Sequence, residues 1–312
     1  MTRTLSTPDG TAASKLAFGT MQFGGKAGAD DSHAMYRACR AAGVTHFDTA
    51  HSYNDGASET LLGGMVGDDR DQLLVATKCG NTGGAGAGNI LAQFDDSRRR
   101  LGLDMIDVLY LHRFDPDTDL HETLETFADL KDCKKIRYVG LSNFAAWQVM
   151  KAIAIAAEFG LTIDVLQPMY NLVKRQAEVE ILPMCADQGI VVAAYSPLGG
   201  GLLTGKYGAG QTGRLDEDQR YAARYRLDWM HAAARDLAAI GAAFDIDPAT
   251  LAVAWVAAHP THPVPIISAQ NADQLRPSLA AMKFEMTRDL YAQLSALSPK
   301  PPPATDRIEE QE

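Results

Sequence analysis

The chain has 312 residues, 46% of them hydrophobic, and a net charge of −10 from 29 Lys and Arg against 39 Asp and Glu. That length suits one α/β barrel or two smaller domains, and the acidic balance argues against a general nucleic-acid binder. No window approaches the ~20 apolar residues of a membrane span, the N-terminus lacks a signal peptide's apolar run, and Cys39, Cys79, Cys133 and Cys185 show neither CxxC nor zinc spacing, so a cytoplasmic protein with reduced, mostly buried thiols is expected.

Pro8-Asp9-Gly10 marks a turn, consistent with a short hairpin closing one end of the fold. Residues 16–18 read as a strand, and Asp31 or Ser32 caps a helix ending before Gly43. Strand 44–48 then runs from β-branched and aromatic residues into Asp48, Thr49, His51, Ser52 and Tyr53. Ser58-Glu59 starts a helix with Leu61, Leu62, Met65 and Val66 on one face. Strand 73–77 runs into Lys78. The glycine-rich segment 80–89 matches no phosphate-binding fingerprint and reads as a flexible loop. Helix 90–101 carries Arg98, Arg99 and Arg100 at the negative end of its dipole. Strand 107–111 runs into His112, helix 120–131 follows, and strand 137–142 ends in Ser142-Asn143. Helix 145–159, strand 163–166 ending in Gln167, helix 176–188 and strand 190–195 complete the regular pattern. A loop, 199–226, precedes helices near 227–244 and 248–258, the latter with Asp247-Pro248 as N-cap and first helical residue. Strand 263–267 rests on the count, because its prolines weaken it. Thr287 caps a last helix, 287–297, and the proline-rich, charged residues 301–312 read as a disordered tail.

The repeat of about 30 residues is that of a βα unit, and such units imply a parallel sheet. The fold class is therefore a (β/α)8 TIM barrel, one domain over 1–300, with extra C-terminal helices. In this fold the active site lies at the C-terminal ends of the strands, where Asp48, Lys78, His112, Asn143 and Gln167 fall.

Singly, each of these groups has a structural explanation: a satisfied histidine, a capping aspartate, an ordinary ion pair. Ionisable groups at three successive strand ends, with a tyrosine in one loop, suit chemistry better. A phenol holds its proton up to about pH 10, and an adjacent ammonium lowers that value. Asp48 would keep Lys78 charged, Lys78 would activate Tyr53, and His112 would donate to a carbonyl oxygen beside it. The set holds no obvious nucleophile or metal cage, so hydride must come from a cofactor. Tyr195 offers a stacking face for a nicotinamide. Ser196, Leu198, Gly200 and Lys206 follow it, with hydroxyl, backbone N–H and charge for a pyrophosphate. His46 is expected to face the helix layer. His51 lines the pocket or only its own loop. Trp147, Trp229 and Trp255 are expected to pack, with Trp229 overhanging the pocket as the alternative. Tyr221, Tyr225, Arg220, Arg224 and Arg226 either clasp a ligand or form a solvated surface.

These motifs, residues 48–53, Lys78, residues 111–113, residues 140–143 and residues 195–198, resemble the aldo-keto reductase superfamily over about residues 16–285. Residues 111–116 and 196–207 are most similar to the bacterial members and the potassium-channel β-subunit branch. The resemblance implies Tyr53 as general acid/base with Asp48, Lys78 and His112. It implies Ser142, Asn143 and Gln167 on the nicotinamide carboxamide, Tyr195 against its ring, and Thr20 and Met21 nearby. Ser268, Gln270 and Gln274 would meet the rest of the cofactor. Gln270 stands where the family often has a basic residue or serine on the 2′-phosphate, and Pro277-Ser278 replaces its adenine-binding Glu-Asn pair. NADP(H) is the expected cofactor, with NAD(H) the alternative. The expected partner is a small-molecule carbonyl or alcohol substrate, with no nucleic acid and no membrane, and the oligomeric state is left open. The competing expectation is a cofactor-binding regulatory subunit with little turnover.

Overall fold

Eight parallel strands close into a barrel in chain order. They are β1 Ala17–Gly19, β2 His46–Asp48, β3 Leu74–Cys79, β4 Ile106–Leu111, β5 Ile136–Ser142, β6 Val165–Gln167, β7 Val191–Tyr195 and β8 Val264–Ile267. The computed structural model describes residues 4–208 and 210–310. Strand β8 closes the barrel by pairing Ala17 with Ile266 and Phe18 with Ile267. Among the described residues twelve helices accompany them: α1 Ala29–Ala41, α2 Ala57–Val66, α3 Ala87–Leu101, α4 Leu120–Asp132, α5 Ala146–Glu158, α6 Ile181–Gln188, α7 Arg214–Glu217, α8 Gln219–Arg224, α9 Asp228–Phe244, α10 Pro248–Ala257, α11 Ala272–Ala280 and α12 Arg288–Ser295. Local chemistry starts several of them. Asp119 accepts from His121 N, Asp247 from Ala249 N and Thr287 from Leu290 N, each satisfying a free N–H of a first turn.

Period-two alternation sorts the strand residues into two cores. Phe18, Phe47, Val75, Leu109, Leu111, Val139, Leu141 and Leu166 point outward to the helices. Ala17, Leu74, Ala76, Val108, Tyr110, Val165, Ala193 and Ile266 fill the barrel with Leu5. Residue 140 must be glycine, because a Cβ there would stand 2.2 Å from the Tyr110 ring. The N-terminal hairpin is present as an antiparallel Ser6–Ala12 bridge. Arg137 holds it, donating to Ser6 O at 3.0 Å and Thr7 O at 3.2 Å while pairing with buried Asp107 at 2.9 Å.

Several boundaries differ from the sequence expectation. Helix α1 starts at Ala29 with Gly28 as N-cap, so Asp31 and Ser32 lie in its first turns rather than capping it. Segment 176–188 divides into a 3-10 turn, Gln176–Glu178, and α6. The long loop carries a 3-10 turn, Gly199–Thr204, together with α7 and α8. The last three residues of the glycine-rich segment already belong to α3. The preceding loop is tied by Asn89 Nδ2 to Thr82 O and Gly84 O, and by Gln93 Oε1 to Gly80 N. Trp255 is buried as expected, but Trp147 is 63% exposed and Trp229 36%. His46 faces the barrel interior, two residues before Asp48, where period two requires it. All four cysteines are free, and only Cys133 of them is exposed. Ile308–Glu310 is a 3-10 turn, and residues 311–312 of the expected tail lie outside the described residues. Among the described residues no single helix is long and apolar enough to cross a membrane.

Candidate active site

One inward step above the apolar filling, the barrel turns polar. Asp48 ends β2, Lys78 lies within β3, Ser142 ends β5, Gln167 ends β6 and Tyr195 ends β7. His112 and Ser268 follow β4 and β8. Tyr53 reaches over this layer from the 3-10 turn Tyr53–Gly56.

Lys78 is the hub. It is 1% exposed, and its ammonium donates to Asp48 Oδ1, to Thr49 O at 2.7 Å and to Tyr53 Oη at 3.5 Å. An ammonium has three protons, and all three have acceptors here. Asp48 is equally buried, and its second oxygen accepts from Gln167 Nε2 at 2.9 Å. Burial works against the Lys78 charge. The Asp48 carboxylate, Tyr53 and their hydrogen bonds outweigh it and hold the ammonium above its ordinary value. For Tyr53 the balance falls the other way. Burial raises the phenol more than Lys78 lowers it, so Tyr53 is a firmly held acid rather than the acidified phenol that the sequence suggests. His112 is driven down to about 3 by burial, then by Lys78 and Arg113, so its imidazole is neutral. Its ring stands edge-on to Tyr53 at 6.1 Å between centroids. Its Nδ1 is buried without a partner.

The turn that carries Tyr53 is braced. Asn54 adopts left-handed φ/ψ (49°, 47°) and donates to Met21 O at 2.9 Å and Phe23 O at 2.7 Å. Below it, buried Glu59 accepts from Thr77 Oγ1 at 2.6 Å and pairs with Arg100, which also donates to His51 O.

The opposite wall is a hydrogen-bonded chain. Tyr195 Oη donates to Asn143 Oδ1 at 2.8 Å, Asn143 Nδ2 to His112 O and Ser142 Oγ, and Ser142 Oγ to Gln167 O. Burial pushes the Tyr195 phenol up to about 12. Asn143 and Ser196 both have φ of +58°, uncommon outside glycine and frequent where a site fixes the backbone. Gly199, Gly200 and Gly201 follow with positive φ, and a Cβ on Gly200 would stand 2.7 Å from the Tyr221 ring.

A cavity of about 860 Å³ runs from Asp48, Tyr53 and His112, past Tyr195 and the glycine turn, to Ser268, Gln270 and Gln274. Met21, Ser142, Asn143, Gln167, Ser196, Leu198, Gly200 and Lys206 also line it. Lys78 lies beneath the wall. Thr20 is buried away from it, its hydroxyl spent on Asp48 O and Ser58 Oγ. His51 faces Asp96 at 3.5 Å and does not line the cavity. Tyr221 and Arg224 do line it, with Arg214, Asp247, Ala249 and Pro277. Sequence reasoning missed Asp247 because it reads as a helix cap, which it also is. An outer cavity of about 730 Å³, walled by Lys26, Glu217, Asp218 and Arg220, shares Met21, Arg214, Tyr221 and Arg224 with the main one. The main cavity fits a nicotinamide dinucleotide. It has the Tyr195 ring on one wall and a glycine turn free of side chains, and the buried Ser268 Oγ on it has no protein partner.

The sequence is 30% identical to an uncharacterized oxidoreductase, YrpG, of Bacillus subtilis (strain 168), over 94% of each chain. It is 30% identical to a probable voltage-gated potassium channel subunit beta of Oryza sativa subsp. japonica, over 88% of each. It is 38% identical to human aflatoxin B1 aldehyde reductase member 2, over 61% of this chain and 54% of that protein. The family model described as the aldo/keto reductase family matches residues 15–299. Barrel, polar rim and near full-length similarity agree, and the chain belongs to the aldo/keto reductase family of oxidoreductases.

Proposed function

We propose that this chain interconverts aldehyde or ketone carbonyls and alcohols with a nicotinamide dinucleotide, Tyr53 moving the proton. The observation that carries the reading is the convergence of the Tyr53 phenol, the buried Lys78 ammonium and a neutral His112 on one end of the cavity. When bound, the cofactor supplies or accepts the hydride. Ser142, Asn143 and Gln167 would hold its carboxamide, Tyr195 its ring, Ser196, Leu198, Gly200 and Lys206 its pyrophosphate, and Ser268, Gln270 and Gln274 its far end.

His112, neutral at working pH, donates from Nε2 to the carbonyl oxygen and fixes it beside Tyr53. Tyr53 gives that oxygen its proton as negative charge develops there. The phenolate left behind forms next to the Lys78 ammonium, whose charge Asp48 anchors. Thus Lys78 acts on the product of proton transfer more than on the resting phenol. In the oxidative direction the same pair takes the proton back. Four free cysteines and the absence of a spanning helix among the described residues favour a cytoplasmic setting.

Tyr53→Phe keeps the ring and removes the proton. It is expected to lower kcat for a generic aromatic aldehyde by at least about a hundredfold while cofactor affinity, read by nicotinamide fluorescence, changes by less than about twofold. Unchanged turnover would refute the mechanism. Similarity to the rice channel subunit favours a second reading, a cofactor-binding regulatory subunit. A stable complex with a partner protein, together with negligible wild-type turnover, would support that reading over the first.

A further inference from the structure

Glu59 is a fully buried carboxylate that lines neither cavity. Replacing a buried ion pair by apolar side chains of similar volume is often neutral or stabilising, so stability alone is a weak reason for one to be here. Its two oxygens lead to the two elements that carry the proton donor and its ammonium. Oε1 accepts from Thr77 Oγ1 at 2.6 Å. Thr77 and Lys78 are neighbours on β3, so period two turns Lys78 into the barrel and Thr77 out toward α2. Oε2 accepts from Arg100 Nη1 at 3.1 Å.

Arg100 carries the contact on to the Tyr53 turn. Of the three arginines near the end of α3, Arg98 and Arg99 pair with Asp95 and Asp96 of their own helix. Arg100 turns inward. Its Nη1 also donates to His51 O at 3.1 Å, and His51 N donates to Lys78 O at 3.0 Å. Both backbone groups of His51 are therefore held, one by the strand that carries Lys78 and one by Arg100. Beyond Tyr53 the guanidinium lies against Gly56, where φ is +90° and a Cβ would stand 2.3 Å from Arg100 Cζ. Arg100 thus meets the chain on both sides of Tyr53. Behind it, a Cβ on Gly63 would stand 2.6 Å from Arg100 O, so the backbones of α2 and α3 meet closely at the arginine's base. The margin at the phenol is small. Tyr53 Oη is 3.5 Å from Lys78 Nζ, the outer limit of a hydrogen bond, and a loop displacement of about 1 Å would part them.

We propose that Glu59 and Arg100 are positioning residues for proton transfer, fixing His51 and Gly56, and so the Tyr53 phenol, relative to Lys78. The proposal rests on the reading of Tyr53 as the proton donor.

The test is a double variant of the full chain, Glu59→Gln with Arg100→Met, which removes both charges and leaves neither buried alone. For the generic aromatic aldehyde, kcat is expected to fall about ten- to a hundredfold. Cofactor Kd, read by nicotinamide fluorescence, is expected to stay within about twofold of wild type. The solvent deuterium isotope effect on kcat is expected to rise, because a badly placed donor slows proton transfer relative to the other steps. A role in stability alone would lower the amount of folded enzyme and leave that effect where it was. Arg100→Lys keeps a counter-charge for Glu59 and decides the matter if the double variant does not fold. Its ammonium stands one bond short of Nη1, so a fall of about three- to tenfold with a raised isotope effect is expected. A kcat within about twofold of wild type in a folded variant, or a fall with an unchanged isotope effect, overturns the proposal. Full turnover in Tyr53→Phe would remove the mechanism and this proposal together. An inactive Tyr53→Phe beside a dispensable pair would remove this proposal alone.

Discussion

Lys78 sets the terms at the level of single residues. A buried ammonium is tolerated because Asp48, Thr49 O and Tyr53 Oη take its three protons. Asp48→Ala would leave that ammonium in a low-dielectric layer with its counter-charge gone. The expected cost is about 3–5 kcal/mol of unfolding free energy, measurable by urea denaturation at pH 7. Lys78→Met keeps most of the apolar stem but leaves the buried Asp48 carboxylate without its counter-charge, so a cost of the same order is expected, and both variants should abolish turnover. If Asp48→Ala were within about 1 kcal/mol of wild type, the pair would not be the buried anchor described here. Tyr53 shows the limit of reading single residues from sequence. The partners that act on the phenol were legible, but the direction of their sum was not, because burial of the site is a property of the closed barrel.

Between residues and molecule, the 3-10 turn Tyr53–Gly56 is the element that aims the phenol. It is held to the loop after β1 by Asn54. Asn54→Ala loses both hydrogen bonds and the tolerance of asparagine for left-handed φ. Because a displacement of about 1 Å at a catalytic group can cost a hundredfold, kcat is expected to fall about ten- to a hundredfold with cofactor Kd unchanged. Asn54→Asp keeps the backbone preference but cannot donate, so it should fall on the same side. A kcat within about twofold of wild type for both variants would show that the turn needs no such brace. Elements with strong local signals were legible in the sequence. Asp247-Pro248 and Thr287 start α10 and α12 as expected, and the strand ends carrying Asp48, Lys78, His112, Asn143 and Gln167 share one rim. Helix α11 was not legible, because Pro277 lies inside it; packing against α10 and α1, not propensity, makes it a helix. His46 was misplaced for a smaller reason. Counting back by two from Asp48 puts it inside the barrel, whereas a strand begun at residue 44 hides that parity.

At the scale of the whole molecule, the barrel interior is apolar below and ionisable above, and His46 lies at the boundary. It pairs in register with Ala17 and Leu74, both interior apolar residues, and its Nε2 has no partner. Burial, opposed by Asp48 and Asp107 and reinforced by Lys78, lowers it from 6.5 to about 4. Unfolding returns it to its ordinary value, so between pH 6.5 and 4 the unfolded chain binds a proton that the folded chain refuses. Stability from this group is therefore fully present above pH 6.5 and is lost as pH falls toward 4. At about 1.4 kcal/mol per pH unit, the loss is about 3 kcal/mol, and His112 adds a second loss of the same sign down to about 3. Carboxylates titrate in this range too, so the wild-type profile alone cannot isolate His46. The difference from His46→Leu can, because leucine fills the same apolar layer and does not ionise. Urea unfolding at steps from pH 7 to pH 4 is expected to show the variant losing about 3 kcal/mol less than wild type over that interval. Parallel profiles would mean that His46 is reached by water or protonated in the folded barrel, and that the dry lower layer supporting Asp48 and Lys78 is not as closed as its packing indicates.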